Sequence, residues 1–309
     1  MVEFGLAVEA VGDELAAADR WGELLRAPAV ALRPAPSLAP LGRWAVVQRG
    51  HTTGANDFFY LDPERVVEWG IEARFRRPLL KSLRGINQLR VSATDCRHEL
   101  LTIPPDAALA ATAAANYLAW GEAGGIHRRV TCASRRPWYC LPTQPDGLLL
   151  LAKGVWQRHF APLADGPLAV DQQLYRLRLA EALLPAAAAL LNSAWFALQC
   201  ELRGRVSLGE GVLWLATYEL AGIPLPDLTT LDAGRRAALA AAHERLSNHP
   251  IAPTTADELA QPDRLALDEL VFDLVGLSLA ERRAAREALL DGLDGRRHRA
   301  AHLAPEDAA

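Results

Sequence analysis

The sequence contains no C-x-x-C pair, and none of its four cysteines (Cys96, Cys132, Cys140, Cys200) has a histidine nearby at zinc-ligand spacing. A structural zinc site or a redox dithiol needs ligands that converge on one ion or one disulfide, so this spacing excludes both as local motifs. Such cysteines are read as reduced thiols, which places the chain in the cytoplasm. The opening segment MVEFGLAVEAVGDELAAADRW carries acids where a secretory leader needs a basic start and an apolar run, so secretion is not expected. Long hydrophobic runs are missing as well. The nearest, Ala182 to Leu198 (ALLPAAAALLNSAWFAL), is interrupted by Pro185, Asn192 and Ser193 and falls short of the roughly 20 apolar residues of a span. It is read as a buried helix, and no membrane partner is expected.

Familiar catalytic motifs are absent in the same way. There is no H-E-x-x-H, no G-x-S-x-G and no Walker-type loop, and the one G-x-G, Gly209-Glu210-Gly211, has no strand-turn-helix context to make it a nucleotide cradle.

Half of the 309 residues are hydrophobic, enough for a substantial core in one large domain or two modest ones. The net charge of −4 conceals a division. Residues 41–210 hold 20 Lys and Arg against 15 Asp and Glu, a net of +5, whereas residues 1–40 carry −3 and residues 211–309 carry −6. A polyanion would therefore be met by the middle of the chain.

The pattern along the chain changes at two places. Residues 9–26 have the three-and-four spacing of an amphipathic helix, followed by a proline-rich connector in which Pro28, Pro34, Pro36 and Pro40 favour extended backbone. From Leu41 to about Arg178, short β-prone runs are expected at Trp44–Val47, Phe58–Leu61, Leu100–Ile103, Trp138–Leu141, Leu148–Ala152 and Leu174–Leu179. One helix is expected among them, from Asp106 to Gly121, with Asp106 as its cap after Pro104 and Pro105. From Glu181 onward helices dominate: one to about Leu202, then a glycine-bounded turn, an apolar stretch stopped by Pro224 and Pro226, and two or three amphipathic helices. The class is α+β, a mixed β-sheet domain with an inserted helix, followed by a helical C-terminal flank.

Three clusters have side chains suited to binding. In Arg49–Phe59 (RGHTTGANDFF), Gly50 and Gly54 permit close backbone approach, while Arg49, His51, Thr52, Thr53, Asn56 and Asp57 can reach base edges or phosphate oxygens. The same residues also fit a capped turn whose Asn56 and Asp57 bond their own backbone. Arg74, Arg76, Arg77, Lys81, Arg84 and Arg90 put six cations in 17 residues, either a phosphate-contacting groove or a solvated face. In IHRRVTCASRRPWYC, Arg128, Arg129, Arg135 and Arg136 flank Trp138 and Tyr139, which suits phosphate clamping and base stacking, or else a strand whose aromatics face the core.

Five segments, in order, resemble the TaqI-like C-terminal specificity domain of adenine-specific DNA methylases and fused restriction-modification enzymes. PLGRWAVVQRGHTTGANDFFYL is similar to the segment that opens target recognition in that family, through Val47, Gly50, Thr53, Gly54, Asn56 and Phe59. RRPLLKSLRGIN is similar to a second segment through Pro78, Leu79, Leu80 and Lys81, and RRPWYCLP to a third. LLNSAWFALQCELRGRVSLGEGVLWLATYELAGIPLPD and LDELVFDLVGLSLAERRAAREAL resemble the last two. The resemblance runs from about Trp21 to the end. Family members carry a methyltransferase domain ahead of these segments, and here Met1 stands where the linker to that domain would run.

The resemblance implies that side chains enter the major groove of double-stranded DNA, and that a catalytic partner flips an adenine and methylates its exocyclic nitrogen. Thr52, Thr53 and Asn56 would lie in the recognition region, with Arg49 and His51 beside them. Lys81, Arg84 and the pairs Arg128/Arg129 and Arg135/Arg136 would contact backbone or bases. Amino-group methylation needs a glycine-rich loop for S-adenosylmethionine and an Asn/Asp-Pro-Pro-aromatic loop for the flipped base, and the sole Pro-Pro here, Pro104-Pro105, lies between Ile103 and Asp106. No cofactor is therefore expected on this chain, and S-adenosylmethionine is expected on the partner. The expected division is a helical linker and docking segment (1–40), a DNA target-recognition domain (41–226) and a helical segment (227–309). Three readings stay open: a separately encoded specificity subunit docking on a methyltransferase subunit, the C-terminal part of a single-chain methyltransferase, and a scaffold that keeps the fold without binding DNA.

Overall fold

A computed structural model describes residues 31, 35–144, 148–207 and 211–303, with side chains to residue 298. The helix expected over residues 9–26, and Pro28 and Pro34 of the connector, lie outside the described residues. The end of the connector, Leu38–Pro40, is a strand that pairs antiparallel with Pro224–Pro226, Leu38 opposite Pro226 and Pro40 opposite Pro224. Proline has no N–H to give a ladder, which suits this pair to a two-stranded ribbon.

Two larger sheets follow. In the five-stranded sheet the order is Ala45–Arg49, Leu174–Leu179, Leu149–Ala152, Leu163–Ala164, Arg90–Val91, antiparallel except for the last pair. Leu174, Tyr175, Arg176 and Leu177 are all buried, because both faces of this strand are covered; the run therefore shows little polar alternation. The four-stranded sheet has the order Ala169–Val170, Arg76–Leu80, His98–Leu101, Tyr60–Leu61. Mixed sheets, an inserted helix and a helical remainder make the α+β class expected from the sequence.

The two sheets exchange strands at one place. After Ala45–Arg49 the chain leaves the first sheet, and Gly50 and His51 donate N–H bonds to Leu174 O at 2.9 Å and Val170 O at 2.8 Å. Ala169–Val170 belongs to the second sheet, and four residues later Leu174 begins a strand of the first. His51 and Asp171 are thus neighbours in an isolated parallel bridge. The loops that spring from this double crossing, residues 50–57 and 171–173, form the centre of the candidate site.

Four local expectations are corrected. Phe58–Leu61 begins as a helical turn, Asn56–Phe59, and only Tyr60–Leu61 is strand, because the Ala55 carbonyl accepts the N–H groups of both Phe58 and Phe59. Trp138–Leu141 is not a strand: the Trp138 carbonyl accepts from Arg135 Nε at 3.1 Å, and the Cys140 N–H closes a turn onto Pro137 O. The helix expected from Asp106 runs instead from Ala113 to Ala123. Thr112 and the Glu72 carboxylate supply its cap, Glu72 accepting from Ala113 and Ala114 N–H at 2.8 and 3.2 Å, so Pro104–Asp106 stay outside the helix. The helix expected from Glu181 to Leu202 breaks at Asn192–Ser193 into Leu184–Leu191 and Ala194–Arg203, bent by 72°. The Asn192 amide bonds the Ala161 backbone in both directions at 2.9 Å, and Ser193 caps the second half, so the kink has a side-chain cause.

The closing helices are Ala233–Leu246, the four-residue Thr255–Glu258, Pro262–Val275 and Leu279–Leu303. Their apolar residues, among them Leu239, Phe272 and Leu289, join Leu177 of the five-stranded sheet and Leu190 and Leu198 of the bent pair in one core. A second core holds Phe58, Phe59, Leu100, Tyr117 and Cys132 around the inserted helix. Among the described residues no single helix is long and apolar enough to cross a membrane, and the bent pair is largely buried.

Candidate nucleic-acid interface

The Arg49–Phe59 loop owes its shape to glycine. A Cβ on Gly50 would lie 2.2 Å from the Asp171 carbonyl oxygen, so only glycine lets the two crossings run side by side. Gly54 has φ +76° and faces Thr131 so closely that a Cβ would sit 2.3 Å from the Thr131 Cβ. Between them Thr53 is fully buried; its hydroxyl pairs with Asn56 Oδ1 and accepts from Ala55 N–H at 3.1 Å. Thr53 thus shapes the loop from inside. His51 is buried too, with Nδ1 unpartnered among the described residues; burial, then Arg176 and Arg77, bring its pKa down to about 4, leaving the ring neutral at pH 7.

The loop's exposed side carries a different set. Arg49 donates through Nε to Gln172 O at 3.1 Å and through Nη2 to Gln172 Oε1 at 3.2 Å, and Thr52 Oγ1 lies 3.4 Å from the same Oε1. Lys81 projects nearby with its ammonium 5.7 Å from the Tyr60 ring centroid. Lys81 and Gln172, with exposed Asn56, border a groove of about 570 Å³, and Arg49 and Thr52 adjoin it through Gln172. Its three carboxylates are all engaged. Asp57 is held by both Nη atoms of Arg129, which pulls its pKa below the usual carboxylate range. Asp62 caps the helix Pro63–Trp69, and buried Asp171 accepts from the Tyr60 hydroxyl and from Gln173 N–H at 2.7 Å. What remains toward solvent is a cationic and amide-bearing face, with Arg49 and Lys81 uncompensated by a free carboxylate.

The run of cations between Arg74 and Arg90 separates on folding. Arg76 pairs with Glu99, and Arg90 with Asp165 and Glu244. Arg74 lies over the Phe75 ring and adds to the backbone hydrogen bonds that, against the opposing effect of desolvation, hold the Glu72 carboxyl below its ordinary pKa. Arg77 is partly buried in the strand Arg76–Leu80. Lys81 and Arg84 remain, both exposed with no acidic partner among the described residues. Arg84 stands on a loop held by Arg158, whose guanidinium donates to the carbonyls of Leu83, Arg84 and Ile86 at 2.7–3.1 Å.

The second arginine cluster is mostly structural. Arg135 donates to Thr53 O at 2.6 Å and lies 5.2 Å from the Phe59 ring centroid, bracing the Arg49–Phe59 loop from behind. Arg136 donates to the carbonyls of Ala133 and Arg135, and Arg129 is committed to Asp57. Arg128 stays exposed, its Nε 3.3 Å from His127 Nε2. Trp138 packs on Phe58 and Phe59, so it belongs to the smaller core.

A family model described as "Type II methyltransferase M.Eco57I, C-terminal domain" matches residues 26–258. The chain belongs to that family. The expectation of a C-terminal, target-recognition type domain of a methyltransferase therefore holds, although the matched range ends before the last two helices, Pro262–Val275 and Leu279–Leu303. The fold is similar to that of the type IIG restriction endonuclease BpuSI, with a TM-score of 0.62 at 11% identity over 92% of this chain and 34% of that one. It is also similar to the type IIL restriction-modification enzyme MmeI, solved in complex with DNA, with a TM-score of 0.56 at 15% identity over 84% of this chain and 36% of that one. The chain thus spans about a third of the length of either. No curated protein matches the sequence.

Within this C-terminal methyltransferase domain the sequence reading missed several residues of the face. Gln172 and Gln173 lie 123 and more residues from Arg49 and sit in a short polar interruption, DQQ, between two β runs. Lys153, Trp156 and Trp214 flank the same surface beyond Gln173. A tryptophan beside a lysine and a glycine in one short run, KGVW, was the available signal.

Proposed function

We propose that this chain recognises double-stranded DNA as the specificity part of an adenine-specific methyltransferase of a restriction-modification or defence system, with methyl transfer supplied by a catalytic domain or subunit that binds S-adenosylmethionine. The observation that supports it best is the grouping of Arg49, Thr52 and Gln172 at the double crossing, with Lys81 alongside and every nearby carboxylate engaged. Arginine pairs with guanine O6/N7 and glutamine with adenine N6/N7 through two parallel hydrogen bonds, and lysine contacts phosphate, so this face has both sequence-reading and backbone-holding groups. Membership of the M.Eco57I C-terminal family supports the assignment to a methyltransferase, and MmeI, of similar fold, is described with DNA.

Residues 41–226 are assigned the reading role, and residues 1–40 and 227–309 the docking of the catalytic partner. Because this chain corresponds to about a third of BpuSI and of MmeI, a second arrangement is favoured equally: the same domain as the C-terminal part of a single polypeptide. The preceding reading frame decides between them, by whether an Asn-Pro-Pro-aromatic loop is fused or separate.

The test is duplex binding at low and moderate salt, with and without the methyltransferase encoded alongside. Log affinity should fall by about 0.9 per unit of log salt for each neutralised phosphate. Failure to bind any duplex under any of these conditions overturns the reading and leaves a scaffold.

A further inference from the structure

Beyond Gln173 the face opens into a second groove of about 650 Å³. One wall is the loop Ser82–Asn87, carrying Arg84; the other is made by Trp156 and Trp214, with Arg158 and Phe160 between them. No carboxylate is among the described residues that line it. The volume is that of a small-ligand site, and the groove shares Ser82 and Gln173 with the one bordered by Lys81 and Gln172, so the two form one continuous surface.

Trp156 is 56% exposed, and its indole has no hydrogen bond or ring partner among the described residues. A large aromatic left bare in a concave, cation-bordered place marks a binding site. Its backbone is nevertheless rigidly fixed. The buried guanidinium of Arg296 donates to the carbonyls of Val155, Trp156 and Gly211 at 3.2, 2.8 and 2.7 Å, while Nε and Nη2 grip the Glu201 carboxylate at 2.8 and 2.6 Å. Trp214 is fixed by close packing on Gly154, where a Cβ would lie 2.9 Å from its ring, and the Lys153 ammonium lies 5.5 Å from its ring centroid. Burial, and then the nearby Arg49, push the Lys153 pKa down.

We propose that this groove takes an unpaired nucleotide, its base stacked on Trp156 and its phosphate met by Arg84. Paired bases in a duplex already stack on one another and expose only edges, whereas an unpaired base has a free π-face, which an exposed indole accepts whatever the base. The absence of carboxylates and the flanking cations suit a polyanion and disfavour an acidic peptide. The inference rests on the DNA-recognition reading, because the groove continues the face assigned to it.

The experiment measures binding of the full chain to three probes: a paired duplex, the same duplex with one central unpaired adenine, and a single-stranded oligonucleotide of that sequence. Wild type, Trp156→Ala and Trp156→Phe are compared, with unfolding curves confirming that each folds. The expected result is tighter binding of the duplex with the unpaired base by roughly 5- to 150-fold. Trp156→Ala should abolish the preference and Trp156→Phe retain most of it, each read against that variant's own affinity for the paired duplex. Binding of the paired duplex without added affinity for the unpaired base, or a preference that survives Trp156→Ala, overturns the groove assignment and leaves the recognition reading standing. Single-strand binding that needs Trp156, with no duplex binding, does the reverse. No binding of any probe overturns both.

Discussion

Arg49 holds Gln172 twice, through Nε to its main-chain carbonyl at 3.1 Å and through Nη2 to its side-chain Oε1 at 3.2 Å. The two residues lie 123 positions apart in sequence and face each other because two crossings between sheets run side by side. Each residue therefore orients the other. If Gln172 reads a base, Gln172→Ala should cost about 1–3 kcal/mol in discrimination at one base pair and leave affinity for unrelated sequence almost unchanged. Binding to a selected site and its single-pair variants checks this, and equal weakening on all duplexes would assign Gln172 to the DNA backbone.

Lys81 and Arg84 are the two cations of the Arg74–Arg90 run that stay exposed with neither an acidic partner nor a ring-bound acid-flanked position like that of Arg74. Replacing both with alanine should weaken binding to every duplex by a similar factor and reduce the slope of log affinity against log salt by about 0.9 for each phosphate no longer neutralised. The contrasting variant is Arg90→Ala, whose guanidinium is already shared by Asp165 and Glu244 and whose removal should leave the slope alone.

Gly50→Ala should destabilise the protein by about 1–3 kcal/mol, since its Cβ would meet main-chain oxygen at 2.2 Å and backbone must shift to admit it. Gly85→Ala is the control: nothing lies within 4 Å of its Cβ, and no steric penalty is expected. Urea midpoints of the two variants, at unchanged m-value, make the comparison.

Acid should loosen the fold before carboxylates titrate. His51 and His243 are buried, and burial, followed by Arg176 and Arg77 for the first and Arg90 for the second, brings both pKa values down to about 4. Between about 6.5 and 4 the unfolded chain binds protons that the folded chain refuses, so stability falls as pH falls through this window, by up to about 3 kcal/mol per histidine. Denaturation midpoints at pH 7.0, 6.0 and 5.0 should decline steadily, and His243→Gln should flatten the decline. A flat profile in wild type would show that neither ring is held neutral.

Arg296→Met should cost about 3–5 kcal/mol, because it leaves buried Glu201 with only the neighbouring His159 as a side-chain partner and takes a donor from three carbonyls at once. Calorimetric unfolding measures the change. The double variant Arg296→Met/Glu201→Leu should recover part of it, since no buried carboxylate is left without its arginine, although His159 loses its partner.

Much of the architecture is legible in the chain. The β runs at Trp44–Val47, Leu148–Ala152 and Leu174–Leu179 correspond to strands within one or two residues, because their apolar, β-branched and aromatic content leaves little choice. The glycine-bounded loop at Arg49–Phe59 was visible for the same reason: two glycines among short polar groups need a conformation that other residues resist. Helix ends were harder to read. Asp106 is a fit cap by type, yet the caps that operate are Thr112 and Glu72, the latter 41 residues from the amide it accepts from, and Asn192 breaks a continuous apolar run by bonding the Ala161 backbone 31 residues away.

By itself the sequence determined the α+β class, the ordered segments of a C-terminal methyltransferase domain, the basic middle of the chain and the residue types of the recognition loop. Only the tertiary structure decided which of those residues reach solvent. Charge and hydrogen-bonding capacity are properties of a side chain, but availability is a property of its neighbours: Arg129 has Asp57, Arg135 has the Thr53 carbonyl, and Thr53 is enclosed, whereas Arg49, Thr52, Lys81 and Arg84 stay on the outer face. Gln172 and Trp156 join that face through pairings far apart in the chain, for which no local pattern exists.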